Sequence, residues 1–152
     1  MNIRPATLQD KTAIYQLALE QSQRYLALRP DHDKIKGQIS LAISSAQHFC
    51  WVVENIHHRV CGVLLAMGGD NLWAQRQFCA VNLWVSKKPG GGAALLRCFR
   101  NWVMGRPAIR VAGIMPDLDV DPRAWDLAQR IGFKKQGGGY LLYTRGAAHG
   151  VV

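Results

Sequence analysis

Between Phe78 and Val103 the hydrophobic pattern changes period across three consecutive glycines. From Phe78 to Val85, Cys79, Val81, Leu83 and Val85 recur at a spacing of two, which predicts a strand with those four on one face. After Lys87-Lys88-Pro89-Gly90-Gly91-Gly92, the residues Leu95, Leu96, Phe99, Trp102 and Val103 form a helical stripe, ended by Gly105-Arg106-Pro107. A strand that enters an amphipathic helix through a glycine turn commits the chain to an α/β arrangement, because the stripe needs a sheet to pack on. The turn also gathers backbone N–H groups at the positive end of a helix dipole, a geometry that binds phosphate. Glycines leave that backbone open, and Lys87 and Lys88 add positive charge. The turn is not a P-loop, since no Lys-Ser/Thr follows it. It is not a dinucleotide fingerprint either, since Leu95 stands where the third glycine belongs.

The rest of the chain supplies matching partners. Asn2 to Ala6 reads as a first strand. Thr7 and Asp10 have capping-box spacing, with Asp in place of Glu, ahead of a helix from about 8 to 26. Leu26 to His32 reads as a loop, and Ile35, Ile39, Ala42, Ile43 and Ala46 as a second helix weakened by Gly37. His48 to Glu54 and Val60 to Met67 read as a hairpin around Asn55-Ile56-His57-His58. Ala108 to Met115 is a further strand. Asp121-Pro122 starts a helix with Ala124, Leu127, Ala128 and Ile131 inward and Gly132 at its end. Phe133 to Thr144 reads as a terminal hairpin. The expected order is β-α-α-β-β-β-α-β-α-β-β in one domain over residues 1–145, with 146–152 a loose tail.

The chain has 152 residues, 49% hydrophobic and 19% charged, which excludes a disordered chain and suits a single core. No apolar run reaches the ~18 residues of a membrane span. The first residues lack the apolar core of a signal peptide, so a cytoplasmic location with reduced cysteines is expected. Nineteen Lys and Arg against ten Asp and Glu give a net charge of +9. That charge suits phosphates, nucleic acid or an acidic partner. Its scatter along the chain argues against a nucleic-acid stripe. Cys50, His57, His58 and Cys61 match no zinc spacing, so no metal is expected. Of the five tryptophans, Trp51, Trp84 and Trp102 read as core, and Trp73 falls in a loop open to a ligand.

With the glycine turn and the element order, the chain resembles the Gcn5-related N-acetyltransferase (GNAT) family, a mixed, mostly antiparallel sheet flanked by helices. That family carries Gln/Arg-x-x-Gly-x-Gly/Ala after its fourth strand; here Lys87 to Gly92 matches it, followed by Ala93-Ala94-Leu95-Leu96. Asn82-Leu83-Trp84-Val85 is similar to the family's Leu-x-Val strand, and Ile3 to Thr7 to its opening. Asp121 to Phe133 is similar to a second signature, Asn-x-x-Ala-x-x-Leu-Tyr-x-Lys-x-Gly-Phe. The resemblance covers about residues 2 to 145. It implies acetyl-CoA as cosubstrate, with Leu83, Val85, Lys87, Lys88, Gly90, Gly91, Gly92, Ala93 and Asp121 as its binding residues. It also implies an amine acceptor, either a small molecule or a protein, attacking the thioester carbonyl.

Four departures bear on the chemistry. Lys87 replaces Arg or Gln, and Asp121 replaces Asn. Ala128 stands where many relatives have a tyrosine that protonates the departing thiolate. The fourth strand carries no acidic residue. Tyr140, Tyr143 or a cysteine remain as acids, and Glu54, Asp70, Asp117, Asp119 or water as bases. The stretches Ile43 to Val52 and Gly105 to Ile109 also resemble acetyltransferase-like proteins of tailed bacteriophages. That second resemblance implies a different role, a virion or assembly protein with catalysis weakened or lost. Its partners would be virion proteins or a second copy of the chain. A basic nucleic-acid-binding module is a third reading.

Overall fold

Seven strands form one sheet, ordered β1-β2-β3-β4-β5-β7-β6. They are β1 (Asn2–Pro5), β2 (Phe49–Glu54), β3 (Val60–Gly69), β4 (Phe78–Ser86), β5 (Val111–Ile114), β6 (Lys134–Gln136) and β7 (Gly139–Tyr143). The helices are α1 (Lys11–Ser22), α2 (His32–Ser44), α3 (Gly91–Met104) and α4 (Pro122–Arg130). This computed structural model describes residues 1–23, 29–114, 122–137 and 139–144. Every strand pair is antiparallel except β4 with β5, which the α3 crossover makes parallel. The element order is the expected one, and the fold is a mixed, mostly antiparallel α/β sheet flanked by helices. The expected tail at 146–152 lies outside the described residues.

Both faces of the sheet are covered. On one, Ile14 and Leu17 of α1 and Ile39 and Ala42 of α2 pack against Cys50, Val52, Val63 and Leu65. On the other, Leu95, Leu96, Phe99 and Val103 of α3 and Leu127 and Ala128 of α4 pack against Phe49, Leu64, Val81 and Ile114. The central strands β2 and β3 alternate between these two cores, so they are apolar at nearly every position.

The first helix differs from its expected span. A 3-10 turn at Leu8–Asp10 precedes α1, because the Asp10 carboxylate accepts from the Thr7 N–H at 2.7 Å and tightens the entry. Residues 24–28 are outside the described set. Helix α2 runs unbroken through Gly37, started by the Asp31 side chain accepting from the Lys34 N–H at 3.0 Å.

Arg4 locks this end of the sheet. Its guanidinium donates to both Asp10 oxygens at 2.7 and 2.9 Å and, through Nε, to Glu54 Oε1 at 2.6 Å. Arg4 holds both carboxyls below their ordinary range, through hydrogen bonds first and charge second. A lowered folded pKa gives stability that is present above the unfolded value and lost as the pH falls through the folded one. Asp10→Asn should therefore cost about 1–2 kcal/mol at neutral pH. The deficit should shrink in acid, as urea denaturation at both conditions will read. An equal loss in acid would assign the effect to packing.

Candidate functional site

Strand β4 carries one residue more than β3 opposes. Leu83 faces Leu65 and Val81 faces Ala66, which leaves exposed Asn82 as a bulge. The bulge reverses the alternation of faces. Cys79 and Val81 point to the α3 and α4 core, whereas Leu83 and Val85 join the α1 and α2 core. The expectation of all four on one face is corrected by this insertion, and Trp84 takes the α3 side instead.

The parallel pairing with β5 is described only from Phe78–Val111 to Val81–Ile114. Among the described residues, nothing pairs with Asn82–Ser86 on this edge. The Lys87 N–H donates to the Cys61 carbonyl directly opposite, at 2.8 Å. Alternation from that bond turns the backbone groups of Val85 and Leu83 to β3 and those of Ser86 and Trp84 to the open edge.

At the end of β4 the glycines divide the work. Pro89 and Gly90 occupy the centre of a type II turn closed by the Gly91 N–H on the Lys88 carbonyl at 3.0 Å, with Gly90 at φ 80°. Ser86 braces it, its hydroxyl accepting from the Lys88 N–H at 3.2 Å and donating to the Lys88 carbonyl at 2.9 Å. Gly91 is buried, and a Cβ there would lie 2.3 Å from Ser86 Oγ. Gly92 has room, since its Cβ would make an ordinary 3.5 Å contact with Trp84 Nε1. The Trp84 indole already donates to the Gly92 carbonyl at 3.0 Å. Helix α3 starts with Gly90 as a cap that offers no side chain, and Ala94 makes the first helical bond to Gly90 at 3.1 Å. Among the described residues no acceptor serves the Gly92 and Ala93 N–H groups, so two donors and the helix dipole face outward together.

Charge around the turn is uneven. Lys87 Nζ pairs with Glu20 of α1 at 2.9 Å, both ends exposed, whereas no carboxylate among the described residues pairs with Lys88. Trp84 meets Trp125 of α4 edge-on at 6.4 Å, and Trp125 stacks on Tyr140 of β7 at 4.4 Å. Tyr140 lies opposite Ile114, level with the last described β4–β5 pair. Tyr143 lies opposite Val111, three residues and about 10 Å further from the turn. Its hydroxyl donates to Gln136 Oε1 at 2.7 Å.

The remaining candidates sit elsewhere. Glu54 is engaged by Arg4 and Asn2. Asp70 accepts from the Arg76 N–H at the far end of the sheet. Asp117, Asp119 and Asp121 lie outside the described residues. Burial pushes the Cys50 and Cys79 thiols up to about 12, and Cys98 upward too. Cys50 and Cys61 belong to opposite faces of the sheet. Among the described residues no three His, Cys, Asp or Glu side chains group as metal ligands. No described helix is long and apolar enough to cross a membrane. Trp73 is 86% exposed, as its loop position implies. Sequence reasoning missed Asn82, Trp84, Ser86 and Glu20 as residues that shape the site.

Gly91→Ala should destabilise by about 1–3 kcal/mol, because Ser86 and Val53 must give way. Gly92→Ala should be neutral or slightly stabilising, as a helical Cβ in open contact. Thermal unfolding of the two variants checks the contrast, and equal effects would contradict it. Ala128 is fully enclosed in the α3 and α4 core. Ala128→Tyr should therefore cost a few kcal/mol in the same measurement, from overpacking.

No family profile matches the sequence, and no curated protein matches it. Solved structures do match. A GNAT family acetyltransferase from Brucella melitensis, in complex with acetyl-CoA, superposes with a TM-score of 0.68 at 17% identity, covering 93% of this chain and 86% of that one. A GNAT superfamily phosphinothricin acetyltransferase from Sinorhizobium meliloti, in complex with AcCoA, gives 0.72 at 19% identity over 90% and 76%. Arabidopsis thaliana NAA60, in complex with a bisubstrate analogue, gives 0.70 at 13% identity over 96% and 99%. The chain has the fold of the GNAT acetyltransferases.

Proposed function

We propose that this protein transfers an acetyl group from acetyl-CoA to an amine. The observation that carries the reading is the glycine turn, where Gly92 and Ala93 present N–H groups without an acceptor among the described residues, at the dipole end of α3 and beside the edge of β4 that no described residue pairs with. Structures of the same fold that hold acetyl-CoA support it. In this reading the turn residues Gly90 to Ala93 hold the pyrophosphate. Lys88 adds charge directly, and Lys87 adds less because Glu20 shares it. The edge from Leu83 to Val85, with the Trp84 backbone groups outward, holds the pantetheine arm. Asp121 enters from the resemblance as a contact at the start of α4. The acceptor is a small-molecule or protein amine.

Acetyl-CoA would supply a thioester whose carbonyl the amine attacks; the C–N bond forms as the C–S bond breaks, the attacking nitrogen gives up a proton to water, and the coenzyme leaves as a thiolate that needs one. Ala128 cannot give one. Tyr140 is placed level with the end of the described β4–β5 pairing, and we assign it the proton donor's part ahead of Tyr143. Alignment of the two reactants supplies much of the rate enhancement, so a sparse set of acid–base groups is compatible with turnover. The second reading, an assembly or virion protein that keeps the fold without catalysis, draws on the enclosed Ala128 and the carboxylate-free β4.

Calorimetric titration with acetyl-CoA should give micromolar affinity, abolished by Gly92→Glu, which puts a carboxylate among the outward N–H groups. Lys88→Ala should weaken binding about two- to fivefold and more than Lys87→Ala, and Glu20→Gln should strengthen it slightly, all less so at high salt. Wild-type protein that does not bind at these concentrations would refute the reading. Thiol release with an amine panel should then show turnover that falls in Tyr140→Phe without loss of acetyl-CoA affinity. Binding without any product would favour the assembly role.

A further inference from the structure

A second basic site lies at the other end of α3. A cavity of about 680 Å³ opens there, between the C-terminal end of the helix, the end of β3 and the β3–β4 loop. Two arginines from different elements line it. Arg106 follows the last turn of α3, half-buried, with its guanidinium over the Trp102 ring at 4.3 Å. That ring is itself fixed, edge-on to Phe49 at 5.5 Å and stacked near Phe99 at 6.2 Å. Arg76, exposed on the β3–β4 loop, lines it from the other side. Its backbone is held at φ 55°, a left-handed conformation that non-glycine residues seldom adopt, by its N–H bond to Asp70 at 2.9 Å.

Neither guanidinium is within ion-pair distance of a carboxylate among the described residues, and no Asp or Glu lines the cavity. The face of Arg106 is covered by indole, but its N–H donors lie in the guanidinium plane, and no acceptor among the described residues takes them. The helix C-terminus accounts for one positive charge at this place, because it complements the dipole. It does not account for Arg76, which comes from another element to the same space. Asn101 adds a side-chain amide to the lining.

We propose that this cavity binds a small phosphate-bearing molecule, up to the size of a mononucleotide. Its volume falls in the range of small-molecule sites. Two guanidinium forks on one ligand call for more acceptor oxygens than a carboxylate offers, and a terminal phosphate supplies three. The site is separate from the glycine turn, since the 14 residues of α3 set the two about 20 Å apart.

The full chain is titrated with AMP and, separately, with inorganic pyrophosphate, following the Trp102 indole and the arginine Nε–H resonances by NMR. Acetate is the carboxylate control. The expected result is a saturable shift of the Trp102 indole with both phosphate probes at submillimolar to millimolar concentrations, and none with acetate. Affinity should fall about tenfold in Arg76→Gln, an exposed-loop variant that leaves the core intact. Arg106→Lys, which keeps the charge and loses the fork, should weaken it as well. Gly92→Glu should leave the Trp102 response unchanged, which separates this site from the turn whether or not acetyl-CoA binds there. Absence of a saturable Trp102 shift, or a shift of equal affinity in Arg76→Gln and Arg106→Lys, would overturn the proposal.

Discussion

Asn82 gives β4 one residue more than β3 sets against it, and the placement of everything after it depends on that excess. Without the bulge, Trp84 would point to the α1 and α2 core. With it, the indole reaches the first turn of α3 and bonds the Gly92 carbonyl, tying the helix start to the strand it follows. Ser86, two residues on, then meets the turn, bonds both backbone groups of Lys88 and lies where Gly91 has no side chain. The dipole end of α3 is therefore aimed by strand register and held by two side chains.

The rest of the sheet keeps that aim rigid. Leu95, Leu96, Phe99 and Val103 are fully buried against β2 and β3, so α3 cannot rotate about its own axis without exposing them. A helix fixed along its whole length transmits the placement of its first turn to its last. Both ends of α3 thus present cationic or electropositive groups to solvent, the first through N–H donors and Lys88, the second through Arg106 and Arg76. The +9 charge of the chain finds two local expressions here.

Much of this was legible in the sequence. The change of period around the three glycines located β4, the turn and α3, and the capping-box spacing of Thr7 and Asp10 marked a helix entry that the structure retains. The bulge was not legible, because β4 is buried on both faces. Val81, Leu83 and Val85 are apolar whichever way they point, so hydropathy carries no phase information there. The three glycines look alike in sequence, yet Gly90 serves a positive φ, Gly91 a close contact and Gly92 neither. Glu20 and Lys87 are 67 residues apart and meet only through the fold. The same holds for Arg76 and Arg106, which no local pattern connects.

The central claim is that backbone N–H groups at the start of α3 receive the phosphates of acetyl-CoA. Amide NMR of the 15N-labelled chain during titration with coenzyme A tests it most directly. The account predicts saturable, salt-sensitive shifts concentrated at Gly92 and Ala93 and extending along β4 to Trp84. Saturable shifts elsewhere that leave Gly92 and Ala93 unmoved would contradict it.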